Sequence, residues 1–403
     1  MSNRAIAICV LVAGLAGSAG AAVLNVKADG TGAYATIQAA INAAATGDQV
    51  VLQPGTYTGA GNRNVDFKGK AISVSSIDPD DPGIIETTIV DCQGAGRGFL
   101  FVTGETSAAI LQGVTIINGH TDGDGGGIVC HSSNPTIRKC HIHGCSAGTS
   151  TTAGAGGGLS LDSANAVVSQ CVLTGNSAWL GGGLYAGAGT PVVRDCVIAA
   201  NTTIATTGTA DSLGGGAGVG FVASNATLSN CTIVGNTSPH NRGGLYVFMS
   251  SAPVTVRNCV VWGNAGTQID GAGLTVTFCD VQGGYAGTGN ISTNPNLTAD
   301  YHLPQGSSCI NVGDPGYVPA GGELDIDWQP RVIHGRVDIG ADEWTWPGDI
   351  NGDGHVDVSD LLLLALSWGK TRGAVGYNPR CDLNGDGAAD VADLLLLAGN
   401  FGN

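Results

Sequence analysis

Five times between residues 113 and 264 the chain repeats one two-part phrase, and no other feature limits its fold so sharply. The first part is three glycines and an apolar residue: Gly125-Gly126-Gly127-Ile128, Gly156-Gly157-Gly158-Leu159, Gly181-Gly182-Gly183-Leu184 and Gly214-Gly215-Gly216-Ala217. In the fifth copy, Arg242-Gly243-Gly244-Leu245, arginine takes the first place. The second part is apolar-x-x-Cys-x-apolar-x-x-Asn, built on Cys140, Cys171, Cys196, Cys231 and Cys259, which lie 31, 25, 35 and 28 residues apart. Five residues after each comes Cys145, Asn176, Asn201, Asn236 or Asn264. Self-similarity at this period belongs to stacked architectures, in which one repeat buries its apolar face only against its neighbours.

Within each repeat the alternation has the two-residue period of a strand. Positions +1 and +3 after the third glycine read Ile128/Cys130, Leu159/Leu161, Leu184/Ala186, Ala217/Val219 and Leu245/Val247, all apolar and inward-facing. The dipeptides before the cysteines (Arg138-Lys139, Ser169-Gln170, Arg194-Asp195, Ser229-Asn230, Arg257-Asn258) are polar and suit exposed turns. Composition agrees, because 67 of 403 residues are glycine, against an average of about 7%. Helices would lose roughly 1 kcal/mol at each. With 43% hydrophobic and 12% charged residues the chain is not disordered. The expected fold is all-β: a right-handed parallel β-helix, a solenoid whose strands stack about 4.8 Å apart. One cysteine per coil at one inward position reads as a buried stack of small apolar thiols. Stacked Cα spacing also permits disulfides, and the eleven cysteines beyond Cys9 leave at least one unpaired within the chain. The asparagines read as a hydrogen-bonded ladder at a turn, from which Cys145 departs.

Residues 1–21 have the form of a secretory signal. Arg4 precedes the apolar run Ala5 to Leu15, and small residues from Ala16 to Ala21 follow. The run is too short to cross a membrane, and no later stretch is a transmembrane segment. The expected location is secreted or at the cell surface. A net charge of −16 argues against nucleic acid as a partner. The expected divisions are 22–297 for the β-helix, 298–347 for its closing segment and a linker, and 348–403 for a terminal module.

The stretch from Val26 through Thr36-Ile37-Gln38-Ala39-Ala40-Ile41 to Val50-Val51-Leu52-Gln53-Pro54-Gly55-Thr56-Tyr57 resembles the first coil and N-terminal capping helix of pectate-lyase and pectin-esterase β-helices. Such a helix would cover core and strand edges that the first coil leaves open. Ser308-Cys309-Ile310-Asn311-Val312-Gly313-Asp314 and Val337-Asp338-Ile339-Gly340-Ala341-Asp342-Glu343 resemble the terminal segment of secreted β-helix repeat proteins common in planctomycete-like bacteria, and are expected to close the stack.

Two loops, Asp349-Ile350-Asn351-Gly352-Asp353-Gly354-His355-Val356-Asp357-Val358-Ser359-Asp360 and Asp382-Leu383-Asn384-Gly385-Asp386-Gly387-Ala388-Ala389-Asp390-Val391-Ala392-Asp393, put side-chain oxygens at positions 1, 3, 5, 9 and 12 and glycine at 6. That is Ca²⁺ spacing, with His355 and Ala388 contributing backbone carbonyls at position 7. All eight acidic residues of 349–403 occupy ligand positions. Each loop leads directly into an apolar helix with no entering helix. Paired half-EF-hands of this kind resemble a type I dockerin, a small α-helical module. The resemblance implies two Ca²⁺ ions and a cohesin-like partner, selected in part by Val358-Ser359 and Val391-Ala392.

Outward positions on the triple-glycine strands place His131, Asp162 and Tyr185 on successive rungs, with Tyr246 two rungs further and Asp122 and Asp124 in a preceding loop. Acids beside aromatic rings suit a polysaccharide lying along the helix. Asp162, Asp122, Asp124 and His131 are the candidate acid/base or Ca²⁺-binding groups, and Tyr185 and Tyr246 the candidate stacking rings. No arginine or lysine stands at these outward positions to serve as the usual lyase base. The β-helix is therefore expected either to process a polysaccharide, as a lyase or glycoside hydrolase, or to bind glycan. A non-catalytic surface, adhesion or structural protein is the alternative.

Overall fold

The computed structural model describes residues 20–149, 152–204, 214–250 and 253–403. Residues 1–19, which hold most of the expected leader, lie outside the described residues. The chain winds into a parallel β-helix. One coil reads Leu159–Asp162, Val167–Ser169, Val172–Thr174 and Ser177–Ala178, one strand in each of four sheets. Numbered in that order, the sheets hold eight, ten, nine and four strands among the described residues. Each strand pairs in parallel with its counterpart one coil away, as Leu159 with Ile128 and Leu184.

The register puts like residues on like. In the second sheet one buried column runs from Leu24 through Leu111, Ile137, Val168 and Val193 to Val276. In the third it passes through Ile116, Ile142, Leu173, Ile198, Ile233 and Val261. Burying each such side chain contributes about 1.5–3 kcal/mol, so the core is one continuous apolar rod rather than a separate core per coil. The N-terminal end is covered by the helix Ile37–Ala43, which buries Ile37, Ala40 and Ile41. Thr36 caps its start by accepting from Ala39 N. Lys70 Nζ donates to the carbonyls of Ile41, Asn42 and Ala44 at its end.

The cysteine and asparagine columns lie at the two corners flanking the third sheet. All eleven described cysteines are buried, unpaired thiols, and several reach the carbonyl two residues back, as Cys196 Sγ to Arg194 O at 3.1 Å. In the other column Asn201 Oδ1 accepts from both the backbone N–H and the side-chain amide of Asn176, at 2.9 and 3.1 Å. Asn236 serves Asn201 in the same way, and Asn264 serves Asn236. Gln268 Oε1 ends the ladder on Asn264. Cys145 is a true member of this column: its N–H donates to Asn176 Oδ1, and its sulfur accepts from Gly119 N.

Three sequence expectations about the fold change. The fourth glycine phrase is Gly216-Ala217-Gly218, not Gly214-Gly215-Gly216, because Leu184 pairs with Val219. The ladder explains the shift: a Cβ on Gly218 would lie 2.9 Å from Asn236 Nδ2, as one on Gly183 would lie 2.8 Å from Asn201 Nδ2. Gly216, at φ 58°, occupies the left-handed conformation that Gly156 and Gly181 adopt at the same place. The inward pair of this strand is therefore Val219/Phe221.

The dipeptide turns are not exposed either. Asp195, Asn230 and Asn258 are fully buried, because residues 309–343 run lengthwise beside this corner instead of closing the end of the stack. Asn258 Oδ1 accepts from Asp314 N, Asn230 donates to Tyr317 Oη, and Gln170 donates to Asp325 O. Lys139 lies over the Trp328 ring. The segment thus travels from the last coils back toward the first. Arg331, 1% exposed, is its anchor, held by Asp195 at 3.6 Å, Glu343 at 3.8 Å and the carbonyls of Gly340 and Ala341. The terminal helices Val358–Ser367 and Val391–Asn400 follow. Arg372 ties this module to Asp81 of an early coil.

Candidate functional site

Two outward columns of the first sheet carry the candidate residues. One holds Val129, Ser160, Tyr185, Gly220 and Tyr246, and the other His131, Asp162, Gly187, Val222 and Phe248. His131 stands directly opposite Asp162, and its Nδ1 lies 2.9 Å from Asp162 Oδ2. The carboxylate thereby orients the imidazole and leaves Nε2 as the nitrogen for proton transfer. Gly187 completes the group. A Cβ there would sit 2.3 Å from Tyr185 Oη and 3.0 Å from Asp162 Oδ1, so this glycine lets the phenol and carboxylate converge. Burial, then the charges of Asp162 and Asp124, push the Tyr185 phenol up to about 12, so it stays a proton donor. Ser160 Oγ, in the same column, is buried with no hydrogen-bond partner.

The other acids are placed differently. Asp124 lies at the margin of this group, where its carboxylate accepts from Ala155 N and its carbonyl from Arg97 Nε. Asp122 is drawn aside to His120, at 3.8 Å. Tyr246 corrects the expectation of a second stacking ring. It is 4% exposed, and the guanidinium of Arg242 lies 4.5 Å over its face, itself held by Asp270 at 2.7 Å. No sugar reaches that ring unless Arg242 moves. The spacing puts Ser160 and Gly187 at outward positions, but the part Gly187 plays shows only in how closely Tyr185 Oη and Asp162 Oδ1 approach it.

In the terminal module the acidic loops are built around their first and last carboxylates. Asp349 accepts from the N–H groups of Gly352, Asp353 and Gly354, and Asp360 from those of Ile350, Asn351 and Asp357. Asp393 repeats the second pattern on Leu383, Asn384 and Asp390. Asn351 and Asn384 reach Asp353 and Asp386. Asp382 Oδ1 is buried without a hydrogen-bond partner, an oxygen that a cation would satisfy. These all-oxygen loops fit Ca²⁺. Asp357 and Asp390 also start the two helices as capping boxes. Outward along those helices lie Val358, Leu362 and Leu366, then Val391 and Leu395, each at least 59% exposed. Ser359 is exposed and Ala392 half-buried.

Among the described residues no helix is long and apolar enough to cross a membrane. A search of curated proteins finds no match. Three solved structures resemble the chain at 14% identity. Pectate lyase Pel9A covers 81% of this chain and 97% of its own, with a TM-score of 0.46. The pectin methylesterase from Aspergillus niger covers 59% and 86%, with a TM-score of 0.31. A rhamnogalacturonan lyase covers 69% and 90%, also at 0.31. These likenesses carry no chemistry across. The family described as a right handed beta helix region matches residues 30–198 and 149–298, and the type I dockerin domain, a calcium-binding kind, matches residues 347–401. The chain belongs to the right-handed β-helix family and carries a C-terminal type I dockerin.

Proposed function

We propose that the protein is exported, that the first sheet binds and processes a polysaccharide, and that the dockerin holds two Ca²⁺ ions and docks a cohesin-type partner. The observation that carries the proposal is the His131–Asp162 pair beside the half-buried phenol of Tyr185. His131 Nε2 would take a proton from the bound sugar or from water, with Asp162 stabilising the imidazolium that forms. Tyr185 would donate to an oxygen of the chain. Asp124 would lie alongside as a further acceptor or Ca²⁺ ligand. The division at 22–297, 298–347 and 348–403 belongs to the same reading. For docking, the exposed Val358, Leu362, Leu366, Val391 and Leu395 offer an apolar surface on both helices.

The test is a panel of acidic and neutral polysaccharides with added Ca²⁺, read for unsaturated ends and new reducing sugars. Loss of about 10² to 10⁴ in rate for His131→Ala and Asp162→Asn is the expected result. A second reading, glycan binding without turnover, is favoured by the commitments of the nearby guanidinium groups: Arg97 to Asp124 O and Arg242 to Asp270. Binding with no turnover on any member of the panel would select it. Turnover that survives both substitutions would remove the proposed centre.

A further inference from the structure

Where the lengthwise segment meets the dockerin, three side chains from separate turns converge. His302, Asp327 and Asp342 each offer one ligand atom, and these atoms lie within 4.8 Å of one another. His302 Nε2 lies 3.0 and 2.9 Å from the two oxygens of Asp327. Asp342, 6% exposed, has its Oδ2 fixed by Leu303 N at 2.7 Å. On the far side of the imidazole, Asp300 Oδ2 lies 3.3 Å from Nδ1. A carboxylate on one ring nitrogen is the usual arrangement for presenting the other to a metal.

We propose that His302, Asp327 and Asp342 form a cation site separate from the dockerin loops, one for a divalent transition metal such as Zn²⁺. The donor set distinguishes it. The dockerin loops present only oxygen, whereas one imidazole nitrogen and two carboxylates suit Zn²⁺ or Co²⁺ better than Ca²⁺ or Mg²⁺. His302 Nε2 and the Asp327 oxygens lie 2.9 and 3.0 Å apart, close to the spacing of neighbouring ligands on metal–ligand bonds of about 2.0–2.2 Å. A second observation points the same way. Gln329 lines the same cleft, of about 360 Å³, and its Oε1 is buried with no hydrogen-bond partner. The cleft also leaves room for water as a remaining ligand. Three aspartates around one imidazole leave an excess of negative charge that a dication offsets. The bound ion would join residues 302, 327 and 342, and so fasten the segment where it passes the dockerin. This inference is independent of the polysaccharide reading.

The test uses the full chain with the dockerin loops kept saturated by Ca²⁺. Co²⁺ is titrated and followed by visible absorption, then displaced by Zn²⁺ in calorimetry. One Co²⁺ per chain is expected, without a thiolate charge-transfer band. His302→Ala and Asp327→Asn are each expected to weaken binding at least tenfold. Asp327 is 40% exposed, so Asp327→Asn keeps the fold if the histidine variant does not. The proposal is overturned by absence of Co²⁺ and Zn²⁺ binding, by a thiolate band, by undiminished binding in Asp327→Asn, or by Ca²⁺ occupying the site in their place.

Discussion

The stacked coils and the terminal module satisfy their turns in opposite ways. At each asparagine corner the β-helix pairs backbone N–H with a side-chain oxygen from the next coil, so a neighbouring repeat completes it. Each dockerin loop instead gathers carboxylates and folds its own N–H groups onto them, a concentration of negative charge that only a cation relieves. Repetition stabilises the first region, and a ligand stabilises the second. The difference teaches that the two should fail under different insults.

Removing Ca²⁺ should separate them most widely. Each ion is expected to contribute about 2.7 kcal/mol at a free concentration of about 100 times Kd. EDTA should therefore abolish the helical circular dichroism of the dockerin and leave the β-sheet signal in place. Concerted loss of both would show that the regions are one cooperative unit. Next in size is Arg331→Ala, expected to cost about 3–5 kcal/mol because Asp195 and Glu343 lose their buried partner. Urea unfolding followed by tryptophan fluorescence should register it in the β-helix transition alone. Asn201→Ala comes third, at about 1–3 kcal/mol, since it leaves two donors of Asn176 without their acceptor. Equal destabilisation by Asn264→Ala and Asn201→Ala would show whether the ladder's end matters as much as its middle.

A pH series sharpens the contrast further. Burial holds Asp195 at about 7 and Asp338 at about 6, against 3.8 when unfolded. Such raised groups stabilise the folded state while protonated, and that contribution is lost as pH rises from about 4 through 7. The lengthwise segment should thus hold more firmly at pH 5 than at pH 8, and Asp195→Asn should flatten the dependence. Ca²⁺ ligands respond in the opposite sense, losing the ion as falling pH protonates them. The smallest effect on stability is expected from Leu362→Lys, within about 0.5 kcal/mol because the side chain is 62% exposed. Its consequence should appear in docking, as lost capture by an immobilised type I cohesin.

The coils were legible because their information is periodic: Ile137, Val168 and Val193 announce one column by spacing alone. The dockerin was legible because its two loops repeat one fixed pattern of oxygen side chains and glycine over twelve positions. Register failed only where Gly214 to Gly218 offers several equivalent glycines, and the deciding contact, Gly218 against Asn236, lies in another part of the coil. The path of residues 309–343 was not legible. Its contacts, such as Gln170 with Asp325 and Asp195 with Arg331, join polar residues over 130 apart with no period to reveal them. The covered face of Tyr246 and the meeting of His302, Asp327 and Asp342 were hidden although their partners are closer in sequence, because no repeat marks these contacts.

The lengthwise segment also acts as a gauge. Solenoids commonly change length by gaining or losing a coil, since each new rung docks on the last as its neighbours did. Here Asp314 must meet Asn258 while Asp325 meets Gln170, so the distance between those coils is measured by a strip of fixed length. Inserting one coil between Cys171 and Cys259 would leave every rung satisfied and the strip one rung short. Repeat number in this protein is thus set from outside the repeats.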